Sequence, residues 1–236
     1  MPSPVTRFAR LSGALLAATL TAPVWASSVS YQMTQSNEAA FPDGSAPYLS
    51  VTIADDVLAP TANGSVITFT VQTLSGLDPY TAGSNFGIQS FGFNVVAGGP
   101  SLSDSPNAMW ILPADWDAKV APPPNQISGF GRFDVDVGAV GSNRLSTLQF
   151  SIDVAGDDIF TYFDSSSTQN GNPPGEGYAW FAAHVAFGSE LDPPSAFFGA
   201  SDDGVLPPTA VPVPAALWMF GGALLGIAGI ARRQRT

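Results

Sequence analysis

The single histidine, His184, and 19 acidic residues hold most of the chemistry this sequence offers. There is no cysteine, which excludes a thiolate nucleophile, a cysteine-bound zinc site and a disulfide framework, and one histidine cannot build a multi-histidine metal cluster. A serine–histidine–aspartate triad would have to use His184. That residue lies in Trp180-Phe-Ala-Ala-His-Val-Ala186, where strand alternation puts it on one face with Trp180, Ala182 and Ala186. A histidine among apolar neighbours reads as structural, and no Gly-x-Ser-x-Gly elbow accompanies it. Glycosidases need two carboxylates about 5–9.5 Å apart across a sugar bond. The glutamates Glu38, Glu176 and Glu190 belong to no recognisable motif, and 19 acids supply some such pair by chance. Calcium takes several carboxylate and carbonyl oxygens from flexible loops. Of the adjacent acids Asp55-Asp56, Asp157-Asp158 and Asp202-Asp203, the pair Asp157 and Asp158 is the candidate for a structural calcium ion, the one cofactor considered. No EF-hand or nonapeptide spacing supports it, and adjacent acids in turns are ordinarily only solvated. Trp110 and Trp116 in Asn107-Ala-Met-Trp-Ile-Leu-Pro-Ala-Asp-Trp116 are candidate sugar-stacking residues if their faces are exposed, and core residues if not. No catalytic residue is assigned, and the chain reads as a non-enzyme.

These residues must be positioned by strands. Alternation of apolar and polar residues, the period of a half-buried strand, recurs at Leu49/Val51/Ile53, Ile67/Phe69/Val71, Phe91/Phe93/Val95, Phe133/Val135/Val137 and Leu148/Phe150/Ile152/Val154. Val29/Tyr31/Met33 add a first strand, and Tyr178–Phe187 a late one that is apolar on both faces. Turn formers separate them: Asn63-Gly64, Gly98-Gly99-Pro100, Gly141-Ser142-Asn143 and Asn172-Pro173-Pro174-Gly175. Residues 108–120 are the best stretch for a short helix. Asn143-Arg144 reads as a hairpin turn that pairs the strand at Phe133 with the strand at Leu148. The expected fold is all-β: an antiparallel β-sandwich, jelly-roll-like in preference to immunoglobulin-like. No fixed repeat is visible, which removes solenoids and propellers.

The chain divides by composition. Arg7 and Arg10, the mostly apolar stretch 11–20 and Val24-Trp25-Ala26 describe a secretory signal peptide over residues 1–26. The intervening Phe8-Ala9 rules out a twin-arginine signal. The ectodomain is residues 27–200, followed by a proline-rich linker at 201–214. The termini hold five of the eight basic residues, so between residues 27 and 208 only Lys119, Arg132 and Arg144 face 19 acids, a net charge of −16. That surface repels nucleic acid and suits divalent cations or neutral polysaccharide better.

Residues 215–231 carry no charge and are just long enough to cross a hydrocarbon core about 30 Å thick. Arg232, Arg233 and Arg235 follow at once and place the basic tail, 232–236, on the cytoplasmic side. Gly222 and Gly226 form a GxxxG, a spacing that arises easily in glycine-rich sequence. The proline motif, apolar segment and arginine cluster, in that order, resemble the PEP-CTERM sorting signal of Gram-negative bacteria that make extracellular polysaccharide. Here the motif is Val211-Pro212-Val213-Pro214-Ala215, with valine in the place of the usual glutamate, as in the variant branch Val-Pro-x-Pro-Ala. The resemblance covers about a tenth of the chain. It implies an exosortase-type protease as partner, cutting near the motif, and an association with exopolysaccharide.

Together these features describe an exported protein, held at the inner membrane by its C-terminal helix with its domain in the periplasm. It then passes to the cell surface or medium in a structural or adhesive role. The alternatives are a carbohydrate-binding module for exopolysaccharide, which needs Trp110 and Trp116 exposed on one face, and a glycan hydrolase, which needs two carboxylates converging in one cleft.

Overall fold

The structure, a computed structural model, describes residues 28–61, 64–83, 85–107, 109–162, 179–189 and 191–200. The expected signal peptide, linker, sorting motif, membrane helix and basic tail lie outside the described residues. Among the described residues no helix is long and apolar enough to cross a membrane.

Among the described residues eleven strands form: β1 (Ser28–Met33), β2 (Gln35–Ser36), β3 (Leu49–Thr61), β4 (Gly64–Thr73), β5 (Gly87–Phe93), β6 (Trp110–Ile111), β7 (Trp116–Ile127), β8 (Gly131–Ala139), β9 (Thr147–Ile152), β10 (Phe181–Ala186) and β11 (Ser195–Ala200). They build two antiparallel sheets in a sandwich-like fold. One has the order β1-β3-β4-β9-β6 and the other β2-β11-β10-β5-β8-β7. The alternating apolar positions turn inward as their period requires. Val29, Tyr31 and Met33 are buried in β1, Val51 and Ile53 in β3, Phe69 and Val71 in β4, and Leu148, Phe150 and Ile152 in β9. Phe69 and Phe150, register partners on β4 and β9, stack with centroids 4.8 Å apart and planes at 5°. Phe93 of the second sheet reaches Phe69 at 4.8 Å, so aromatic rings join the two layers. Fully burying such a side chain contributes about 1.5–3 kcal/mol.

β10 is buried on both faces, as its composition foretold, and the structure supplies the reason. Its inner face, Phe181, Ala183 and Val185, belongs to the main core, while Ala182 belongs to a second small core with Ile127, Phe130, Phe133 and Ala179. The tip of the β7–β8 hairpin folds back over the outer face of its own sheet. A lane of small residues makes room for it, since Ala182 has Gly199 of β11 as register partner on one side and Gly92 of β5 on the other. A Cβ on Gly199 would meet the Phe130 ring, and one on Gly92 would meet Ile127 Cδ1 and the Phe133 ring.

Two expectations are corrected. Residues 109–120 hold no helix: β6 and β7 occupy that stretch, joined by a turn in which Asp115 takes a left-handed φ of 61°. Pro113 cannot donate a helical hydrogen bond, and Asp115 in that conformation ends any helical run. Nor do the strands at Phe133 and Leu148 pair. β8 lies between β5 and β7 in one sheet, and β9 between β4 and β6 in the other. The turn with Gly141 at a φ of 74° is a step across the sandwich, so the two apolar faces meet through the core and not edge to edge.

Candidate functional site

Trp110 and Trp116 are 8% and 5% exposed and belong to the main core. The Trp110 Nε1–H donates to the carbonyl of Ser103 at 2.7 Å, which satisfies the one polar atom of a buried indole. A shallow cleft beside Pro106, Asn107 and Pro113 touches both rings, yet neither offers the open face that stacking on a sugar demands.

Asp157 and Asp158 point apart. Asp157 is 7% exposed, and its Oδ2 accepts the Tyr162 hydroxyl at 2.6 Å. Burial pushes the Asp157 carboxyl above the usual carboxylate range, against the pull of that hydrogen bond, and burial raises the Tyr162 phenol as well. Asp158 is exposed and serves its own turn. Its Oδ1 accepts the Thr161 N–H at 3.1 Å and the Thr161 hydroxyl at 3.3 Å. Asp157 Oδ1 is enclosed without a hydrogen-bond partner, while Asp158 Oδ1 is taken up by Thr161. Among the described residues no group of three or more histidine or acidic side chains is placed to hold a metal.

His184 lies on the outer face of the six-stranded sheet. Its ring stacks on Phe197 of β11 at 4.2 Å and 12°, and its register partner on the other side is Ser90 of β5. Nε2 is buried with no hydrogen-bond partner. Burial, and then the charge of Arg144, press the imidazole down to about 4, so it is neutral at pH 7. Among the described residues no carboxylate accepts a hydrogen bond from it, and so the orienting third member of a triad is lacking.

On the same outer face the structure assembles a group that the sequence did not disclose. Gln89 and Ser90 of β5, Asp117 and Lys119 of β7, and Asp136 and Gly138 of β8 line a cleft of about 390 Å³. Adjacent strands bring them together: Ser90 pairs with Gly138, Gly138 with Asp117, and Asp136 with Lys119. Burial pushes the Asp136 carboxyl up to about 6, opposed by the Lys119 charge, and its Oδ1 is enclosed with no hydrogen-bond partner. Alternation in Phe133-Asp-Val-Asp-Val137 did mark Asp136 as facing away from the core. Its neighbours on β5 and β7 are set only by the sheet order. Asp117 and Asp136 both line this cleft. No family model, curated protein or solved structure matches this chain.

Proposed function

We propose that this chain is an exported, transiently membrane-anchored surface or extracellular-matrix protein with a structural or adhesive role, and not an enzyme. The observation that carries this reading is the order of the tail: Val211-Pro212-Val213-Pro214-Ala215, the uncharged residues 215–231, then Arg232, Arg233 and Arg235. With the signal peptide at the other end, it fixes one orientation: ectodomain outside, arginines inside. Resemblance to the PEP-CTERM signal adds the exosortase-type cut and the setting of a polysaccharide matrix. A cysteine-free, acidic β-rich domain suits that setting, since it needs no oxidant to fold and stays soluble.

For the sandwich itself, the strand order favours the immunoglobulin-like over the jelly-roll-like form. β3-β4-β9-β6 opposite β11-β10-β5 follows the order A-B-E-D opposite G-F-C of an immunoglobulin-type sandwich, with β7 and β8 extending the second sheet.

One observation keeps the hydrolase as a second reading. Asp136, raised to about 6, shares its cleft with Asp117, and a carboxyl raised toward neutrality beside a second carboxylate is the pairing that glycoside cleavage uses. Release of reducing ends from polysaccharide by wild type and not by Asp136→Asn would establish that reading.

Intact-mass measurement of the protein from envelope and culture medium tests the main proposal. A released form ending near residues 211–215 supports it. Recovery solely of a membrane form that still carries residues 232–235 would refute sorting and release.

A further inference from the structure

The geometry points to the outer-face cleft of the six-stranded sheet as a binding site for a neutral polyhydroxyl chain, a glycan without charged groups. The proposal gives the adhesive reading a ligand and rests on that reading only for its setting, because the site lies wholly within the domain.

The floor of the cleft is Gly138. A Cβ there would find only Ser90 Cβ at 3.8 Å and Asp136 Oδ2 at 4.0 Å, so the space above it is open because this residue has no side chain. Around that floor stand donors and acceptors together. Lys119 Nζ, the Ser90 hydroxyl and the Gln89 amide donate, while the Asp117 and Asp136 carboxylates and the Gln89 carbonyl accept. A sugar hydroxyl does both at once, so a ligand bearing many of them satisfies such a mixed set without bringing a charge to be desolvated. Other ligand classes fit less well. A polyanion meets two carboxylates and a domain, residues 27–200, of net charge −14. A divalent cation meets the Lys119 ammonium on the strand beside Asp136. Val140, 51% exposed at the rim, supplies apolar surface for the C–H face of a ring.

The sheet also provides length. Across the strands the row runs Asp117, Gly138, Ser90, His184, Phe197 as successive register partners. Four inter-strand spacings of about 4.8 Å make a track of roughly 19 Å. Its far end is the half-buried His184–Phe197 pair, stacked on each other with His184 Nε2 enclosed. The neighbouring row, Gly92, Ala182 and Gly199, is roofed by the hairpin tip, so the cleft has a wall along one side. An extended chain fits this shape better than a compact ligand does.

The test uses the full chain in a sugar-free zwitterionic detergent, applied to immobilised neutral, acidic and amino-bearing glycans. Neutral glycans should retain the wild type. Gly138→Leu, which fills the floor at a position with room for a side chain, should weaken retention by about tenfold or more, the scale of one lost hydrogen bond to a charged group. Its melting temperature should stay at the wild-type value. Lys119→Met, at an exposed position, should weaken retention too and guards against a folding artefact in the first variant. No retention on any neutral glycan, a preference for acidic or amino-bearing ones, or full retention by both variants would overturn the assignment. None of these outcomes alters the mass of the released form, so failure here and failure of sorting are separable.

Discussion

Two alanine substitutions of the same kind, three strands apart, should move stability in opposite directions. Gly199 and Gly138 both sit in the six-stranded sheet, and neither has a positive φ, so the backbone accepts alanine at each. At Gly199 the new methyl would lie 2.5 Å from Phe130 Cδ1 and 3.0 Å from Cζ. Phe130 is fully buried and its ring has nowhere to retreat, so the overpacking should cost about 1–3 kcal/mol. At Gly138 the nearest atoms are 3.8 and 4.0 Å away, an ordinary contact distance, and alanine narrows the unfolded ensemble, a gain of about 0.4–1 kcal/mol. Urea denaturation with an unchanged slope should therefore separate the two variants by roughly 1.5–4 kcal/mol, and by several degrees in melting temperature. Combining Gly199→Ala with Phe130→Leu should cost less than the sum of the two, because the leucine removes the ring edge that the methyl strikes. If Gly199→Ala stays within about 0.5 kcal/mol of wild type, the range of ordinary surface changes, then Phe130 does not roof this face and the argument for the walled cleft fails with it.

Acid–base behaviour offers a second check. His184 is depressed from 6.5 to about 4, so the unfolded chain takes up a proton that the fold refuses, and its contribution to stability is lost as pH falls through that window. Asp136 is raised from 3.8 to about 6, so its contribution is full below about 4 and is lost as pH rises toward 6. The two slopes oppose each other. Relative to wild type, Asp136→Asn should show a steeper loss on acidification and His184→Phe a steeper loss toward neutrality. Each difference should be of order 1–3 kcal/mol between pH 4 and 6.5, read by denaturation at a series of pH values. Tyr162→Phe should cost about 1–3 kcal/mol in equilibrium unfolding by leaving the Asp157 carboxyl without its donor, and much less in an Asp157→Asn background. Phe150→Ala, which removes the ring stacked on Phe69, should cost about 3–5 kcal/mol by thermal or urea unfolding.

What the sequence disclosed and what it withheld divide along one physical line. A strand fixes which of its residues face inward, because the side-chain period is two, and so Phe69, Phe91, Val135 and Phe150 were legible as core. Neighbours across a sheet are another matter, since the period says nothing about which strand lies alongside. The strands at Phe133 and Leu148, close in sequence and both alternating, look like a hairpin but belong to opposite layers. The cleft was hidden for the same reason, since Ser90, Lys119 and Asp136 come from three strands that only the sheet order makes adjacent. Residues 108–120 suggested a helix because Trp110, Leu112 and Trp116 are apolar at mixed spacing. Pro113 was the local signal that should have outweighed that pattern. Buried tryptophans with a satisfied indole N–H cannot be told from exposed ones by sequence, because both readings need only a tryptophan near a turn.

The chain continues past residue 200 from β11, and β11 is not an edge. It is laddered to β10 through six residue pairs on one side and to β2 on the other, and its inner face carries the buried Phe198. Any pull applied through the segment that follows is therefore delivered to an interior strand, where it must shear two ladders and extract an aromatic side chain together. An edge strand would instead peel one residue pair at a time. If the segment after residue 200 is a tether, as proposed, load enters the sheet through a strand laddered on both sides and not through a free edge.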